Sequence, residues 1–182
     1  LCSKRHKGKT GRIRYSLKFY DSLEEEWFSE WLKTAEERGM IGGVEYHPSS
    51  FLLSGRISMK IMKQLKTKTK TIDKFLLHPH KYTADFVFYK TPSLDKLNHG
   101  LIQTKGPQNT IYVDVKGSFT GGRHNNSSIT FPISQKWVYQ KYGIYINKVV
   151  PDKFFKKTFV PKSVAYGKRG HVLKRWSECT IL

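Results

Sequence analysis

The stretch IYVDVKG (111–117) sets one acid and one lysine into an apolar, β-branched run. Residues of this kind favour strands, and in a strand side chains two apart share a face. Tyr112, Asp114 and Lys116 are therefore expected together, with Ile111, Val113 and Val115 opposite. The run before it, KYTADFVFYK (81–90), has the same form: Thr83, Asp85 and Val87 alternate with Ala84, Phe86 and Phe88. Each strand thus carries one carboxylate in an otherwise uncharged centre. Burying an unpartnered carboxylate costs several kcal/mol, so each acid needs a cation, hydrogen bonds or a metal.

Two arrangements meet that need. One is a partly exposed Asp114–Lys116 ion pair on a sheet surface, with Asp85 at an edge. The other is a site for phosphodiester hydrolysis, because Mg²⁺ (or Mn²⁺) prefers carboxylate oxygens and two acids on adjacent strands can hold it. Such an ion polarises a phosphate and lowers the pKa of the attacking water. A lysine at its side can orient that water or neutralise charge developing at phosphorus.

Upstream, YDSLEEEWFSEWLKTAEERGMI (20–41) predicts a helix. Asp21 or Ser22 caps it, Glu24, Glu25 and Glu26 suit the positive end of its dipole, and Gly39 stops it. Leu23, Trp27, Trp31 and Ala35 form an apolar stripe at four-residue spacing. VEYHPSSFLLSG (44–55) predicts one or two strands around a Pro-Ser-Ser turn. RISMKIMKQLKTKTKTIDKF (56–75) is ambiguous: KTKTKT suits an exposed strand or a basic flap, and its earlier half also suits a helix. TPSLDKLNHGLIQTKGPQN (91–109) predicts a loop or hairpin excursion, ISQKWVYQKYG (133–143) a helix closed by Gly143, and IYINKVVP (144–151) a strand ended by Pro151. The tail from 152 is basic and aromatic with no clear period. Without repeats or a sharp linker, one α/β domain is favoured.

The chain has 182 residues, enough for a real core, with 33 Lys+Arg against 14 Asp+Glu and a formal charge of +19. Such an excess points to a polyanionic partner, a nucleic acid or an anionic membrane face. No apolar run approaches the roughly 20 residues that span a bilayer. LCSKRHKGKTGRIR (1–14) has no apolar segment after its basic residues, unlike a secretory signal. Cys2 and Cys179 form no framework and suit free thiols in a reducing, cytoplasmic setting. His47, His78, His80 and His124 lack zinc-site spacing, and no P-loop, dinucleotide fingerprint or Ser-His-Asp pattern occurs.

YTADF followed by VDVKG resembles the active-site signature of the PD-(D/E)XK nuclease superfamily. FYDSLEEEWF (19–28) resembles the F-D-S-x-x-E segment of its small phage-encoded endonucleases and of transposon end-cleaving subunits. GMIGGVEYHP (39–48) resembles their next strand, with His47 where glutamine is common, and KYGIYINKVVP (141–151) the strand that closes their cores. The resemblance runs from about residue 13 to 151. It departs in Ala84 where the family has proline, in the long excursion between Asp85 and Asp114, and in the tail.

The resemblance implies a restriction-endonuclease-like α/β core, a mixed central sheet flanked by helices, with a basic C-terminal extension. The expected parts are a basic arm (1–14), the nuclease-like domain (15–151) and the extension (152–182). Asp85, Asp114 and Glu25 would bind the metal and Lys116 would serve catalysis. Glu24 and Glu26 are register alternatives, and Glu45 a possible substitute acid. The implied activity is DNA endonuclease, leaving a 5′-phosphate and 3′-hydroxyl, in a phage or mobile element and directed at branched DNA in recombination. A homodimer would suit paired cuts. The alternatives are a non-catalytic nucleic-acid-binding protein and a particle-associated structural protein on the same fold.

For DNA contact the arm supplies Lys4, Arg5, Lys7, Lys9, Arg12 and Arg14. Lys66, Lys68 and Lys70 follow, then Arg123, Lys168 and Arg169. Gln135 and Lys136 are candidates to face the site, and Gly117, Gly121 and Gly122 to let backbone approach a phosphate. Phe154, Phe155, Phe159, Tyr166 and Trp176 could stack on bases or pack onto the core.

Overall fold

In a computed structural model, residues 13–15, 18–104, 109–117 and 126–182 are described. The chain runs β1 (Ile13–Tyr15), β2 (Lys18–Tyr20), α1 (Leu23–Glu37), β3 (Ile41–Tyr46), β4 (Phe51–Ser54), β5 (Ile57–Gln64), β6 (Thr69–Leu77), β7 (His80–Tyr82) and β8 (Phe86–Lys90). It continues through β9 (Thr110–Val115), α2 (Asn126–Tyr142), β10 (Ile146–Val149), α3 (Pro151–Lys157) and α4 (Lys162–Ala165). The centre is a mixed sheet in the order β10-β9-β8-β3, parallel between β10 and β9 and antiparallel elsewhere. Helices flank it, so the protein is mixed α/β. Among the described residues no helix is long and apolar enough to cross a membrane.

The period of two sorts β9 between two cores, as the sequence requires. Ile111, Val113 and Val115 join the larger core under α1, whereas Tyr112 packs against a smaller one under α2 with Leu53, Phe131, Val138 and Ile146. In β8, Phe86 and Phe88 face α1, but Ala84 lies in the smaller core instead of beside them. The reason is local. Residues 83–85 are outside the strand, with a bend at Asp85, so the alternation that β8 keeps does not extend back to Ala84.

Helix α1 starts at the expected cap. Ser22 has extended backbone and its Oγ accepts from Glu25 N at 3.2 Å, while Glu25 Oε1 accepts from Ser22 Oγ at 2.8 Å. This is a variant of the capping box, in which the Glu25 carboxylate takes the Ser22 hydroxyl and the Asp21 N–H in place of the Ser22 N–H. The buried stripe is Phe28, Trp31, Leu32 and Ala35, rotated from the expected one; Leu23 and Trp27 are only half-buried. Spacings of three and four together follow the 3.6-residue turn better than steps of four alone.

The tail folds back as structure. Pro151 both ends β10 and opens α3 at its first turn, where its missing N–H costs nothing. Phe154, Phe155, Phe159 and Trp176 are buried in the α1-side core, so these four are core residues, while Tyr166 stays exposed. Trp176 meets Trp27 edge-to-face at 6.1 Å, and backbone bonds from Val160 N to Thr180 O and Leu182 N to Val160 O close the tail on itself. Helices of seven and four residues are too short to print a period on a sequence.

Helix α2 begins seven residues earlier than expected and contains Pro132. A proline removes one i to i−4 bond, so a helix start beyond it was the simpler expectation. The 56–75 stretch resolves as a hairpin: β5 and β6 pair antiparallel and stand as a two-stranded sheet of their own. At its root, β4 pairs with β7.

Candidate functional site

The ends of β8 and β9 bring Asp85, Asp114 and Lys116 together. Asp114 is 3% exposed; Tyr82 at the end of β7 donates to its Oδ1 at 2.9 Å, and its Oδ2 faces the Lys116 ammonium in an ion pair. The Lys116 ammonium also lies 5.7 Å from the centre of the Phe131 ring on α2, and its backbone N–H donates to Val149 O at 2.8 Å. The Asp114 carboxylate of this pair is thus buried while the Lys116 side chain keeps 21% of its surface exposed, a more enclosed pair than the partly exposed one that residue types alone allowed.

Asp85 is held by its backbone and its side chain. Its N–H donates to Val113 O at 3.0 Å, its C=O accepts from His47 N at 2.9 Å, and its Oδ2 accepts from Val115 N at 2.6 Å. The carboxylate thus caps the open end of the β9 backbone. Burial, then the charges of Asp114 and Glu25, push its pKa up to about 8, against the lowering effects of Lys116 and the Val115 bond. Burial and the Asp114 carboxylate likewise push the Tyr82 hydroxyl well above its ordinary range, which keeps it a donor.

Glu25 is the helix acid that turns inward, 7% exposed. Besides its capping bond, its Oε2 accepts from Asp21 N at 3.1 Å and from Tyr46 OH at 2.9 Å. Of its two register alternatives, Glu24 stays beside the end of β9 and Glu26 points into another groove. Glu24 comes up to Gly117, where an added Cβ would sit 3.0 Å from Glu24 Oε1. Glu26 lines a groove with Tyr20, Val44 and Phe86, where burial and then Glu30 push it up to about 7. Glu45 is exposed and so makes no buried acid.

Three carboxylates and one ammonium in a poorly hydrated place leave an excess of negative charge, and all the acidic donors are hard oxygens. That chemistry suits a hard divalent cation. Glu25, Asp85 and Asp114 are not drawn into a tight cage, however. Among the described residues, the His, Cys, Asp and Glu group with ligand atoms all within 4.8 Å of one another is Asp21, Glu25 and His47. His47 was given no ligand role by its sequence spacing; it reaches Asp21 from the end of β3, with Nε2 3.9 Å from Oδ2. Its backbone is left-handed at φ 50°, and its ring stacks on Tyr46 at 3.9 Å. A cation could thus be approached from two sides of Glu25. The signal that could have found His47 is its place beside Tyr46, which holds Glu25, but no local spacing carries that.

The remaining expected residues divide. Gln135 does not face the acids: its Nε2 donates to Ile146 O of β10. Lys136 is exposed, and so are His78 and His80, the latter stacked on Trp137 at 5.6 Å. Lys66, Lys68 and Lys70 are exposed on the hairpin, and Lys168 and Arg169 on a turn of the tail. Lys4, Arg5, Lys7, Lys9, Arg12, Gly121, Gly122, Arg123 and His124 lie outside the described residues, and Arg14 is described only as backbone in β1. No sequence pattern marks Tyr46 and Tyr82, which orient Glu25 and Asp114, because an isolated tyrosine in a strand is common.

Compared with protein-family models, curated proteins and solved structures, the chain matches none.

Proposed function

We propose that the chain is a metal-dependent DNA endonuclease on a restriction-endonuclease-like core. Asp85, Asp114 and Glu25 would hold Mg²⁺ or Mn²⁺, and Lys116 is the catalytic cation. The observation that carries this reading is the crowding of buried acids: Asp114, paired with Lys116, and Glu25 stand near enough to Asp85 for their charges, with burial, to raise its carboxyl. A perturbed carboxylate with specific charged partners is a candidate for a site of chemistry. The sheet order, two antiparallel pairings followed by a parallel one with helices on both faces, supports the core assignment.

A bound divalent cation would supply Lewis acidity at the scissile phosphate and a water of lowered pKa. The chain's own groups do the rest. Tyr82 fixes the rotamer of Asp114, and Val115 N–H fixes that of Asp85. Lys116, held between Asp114 and the Phe131 ring, can donate to a non-bridging phosphate oxygen or orient the attacking water. The basic surface, at +19 overall, attracts the phosphate backbone.

A second reading, a nucleic-acid-binding protein that keeps the fold without cutting, is favoured by one observation: both Glu25 oxygens already accept bonds from within the chain. One assay separates the two. Supercoiled, linear and four-way-junction DNA are incubated with Mg²⁺ or Mn²⁺ and wild type, Asp114→Ala or Lys116→Ala. Cleavage by wild type, with a preference for the junction and a loss of about 10³-fold or more in both variants, supports the nuclease. Binding without cutting by wild type supports the second reading, and cutting that survives Asp114→Ala removes the site assignment.

A further inference from the structure

The β5–β6 hairpin is left uncovered by the rest of the described chain. Eight opposed pairs run from Ile57↔Leu77 to Gln64↔Thr69, and of the seventeen residues in the two strands only Ile61 and Ile72 are even half-buried. Met62 is 80% exposed. An isolated hairpin is marginal in water, so a two-sided exposed one of this length is built to be covered by something else.

Its charge identifies the occupant. Residues 56–77 carry seven Lys and Arg against the single acid Asp73. The register shows how the charge lies: Lys63 stands opposite Lys70, Met59 opposite Lys74, and the tip between them adds Lys66 and Lys68. Like charges opposed across a ladder are destabilising unless a polyanion neutralises them. The nine residues of β6 at ~3.3 Å each reach ~30 Å, close to one turn of B-form DNA. A two-stranded ribbon enters a major groove ~12 Å wide and not a minor groove of ~6 Å. Exposed Met59, on the same face as Lys63, Lys70 and Lys74, is a side chain such a groove accommodates, beside thymine methyls.

The root of the hairpin lies beside the acids. Strand β7 ends at Tyr82, the donor to Asp114, three residues before Asp85. Helix α2 braces the same root, since Lys141 and Tyr142 both donate to Leu52 O of β4 at 2.7 Å and Trp137 stacks on His80. Resting on the reading of this chain as a DNA-cutting protein, we propose that β5–β6 is an arm that lies in the major groove of duplex DNA flanking the cleavage site. The substrate class is then duplex or branched DNA with a duplex arm, and not single strands.

Binding is measured by fluorescence polarisation in chelator, with a 24-base-pair duplex and a 24-nucleotide single strand, from about 50 to 300 mM salt. One variant carries Lys63→Gln, Lys66→Gln, Lys68→Gln and Lys70→Gln. A second replaces residues 60–73 by Asn-Gly, closing the hairpin at the opposed pair Met59↔Lys74 with a two-residue turn. Both are expected to keep the wild-type melting temperature of the core and to lose about tenfold or more in duplex affinity at 150 mM salt. The salt slope should fall by roughly one for each phosphate that the arm no longer neutralises. Methylation protection of guanine N7, a major-groove atom, should disappear with the arm. Unchanged duplex affinity or an unchanged N7 footprint overturns the proposal, as does equal loss on the single strand. So does a wild-type dimer that becomes monomeric in the second variant with its footprint intact, which would make the arm a contact between copies. Arm-dependent binding without Mg²⁺-dependent cutting would overturn the nuclease reading and leave the arm standing, whereas cutting with arm-independent binding does the reverse.

Discussion

The end of the central sheet and the β5–β6 hairpin handle charge in opposite ways. Around Asp85 and Asp114 each acid has a partner of its own: Val115 N–H, the Tyr82 hydroxyl, the Lys116 ammonium. Along the hairpin, lysines stand in solvent, two of them directly opposite one another. Removing acids from water requires fixed donors, and fixed donors require a rigid frame. Cations left in water need no frame and can be numerous. The first region therefore suits chemistry at one phosphate and the second suits contact with many.

The largest effect that tests this contrast is on stability. Trp31 is fully buried on α1, stacked on Phe28 at 5.6 Å and on Phe159 at 5.3 Å, so Trp31→Ala should cost about 3–5 kcal/mol in urea unfolding. A loss under about 1 kcal/mol would mean that the tail and α1 do not share one core.

Next comes pH. The folded pKa of Asp85, about 8, lies above the ordinary carboxylate value of 3.8, so its contribution to stability is fully present at low pH and is lost as pH climbs through about 8. In chelator, the melting temperature of wild type should fall by several degrees between about pH 5 and 9, and Asp85→Asn should flatten that fall. Saturating Mn²⁺ should oppose it, because a cation favours the ionised carboxylate. A slope that persists in Asp85→Asn would assign the titration elsewhere.

A smaller effect is expected from Tyr82→Phe, which leaves Asp114 Oδ1 without its donor at a cost of about 1–2 kcal/mol in stability. Cleavage should slow by about tenfold while DNA affinity holds, and an equal loss in both would place Tyr82 among binding groups. The smallest effect belongs to the hairpin: Met62→Ser, in solvent already, should move unfolding free energy by no more than about 0.5 kcal/mol.

The same contrast explains what could be read from residues. The strands β8 and β9 and the cap at Ser22 rest on local rules, period two and helix capping, and these are written in adjacent positions, whereas Glu25 was set apart from Glu24 and Glu26 only by the family resemblance. Nothing in the alternation of 81–90 marks the bend at Asp85, whose carboxylate meets Val115 N–H thirty residues further on. The rotated stripe on α1 depends on which face the tail covers, through Phe155, Phe159 and Trp176. The hairpin looked ambiguous because lysine and threonine in alternation tolerate several states, and only the pairing of 57–64 with 69–77 decides among them. The clustering of His47 with Asp21 and Glu25 is likewise tertiary.

Glu25 has a consequence for how this protein can be dissected. One carboxylate closes the first turn of α1 and, through its charge, loads Asp85. Glutamine can still complete a capping box but carries no charge. Glu25→Gln and Glu25→Ala are thus not a mild and a severe form of one lesion. The first removes the charge and keeps a single acceptor oxygen, so it gives up either the Ser22 bond or those from Asp21 N and Tyr46 OH, and the second gives up all three. Their difference in melting temperature gives the weight of the one acceptor oxygen and the side-chain packing that glutamine retains.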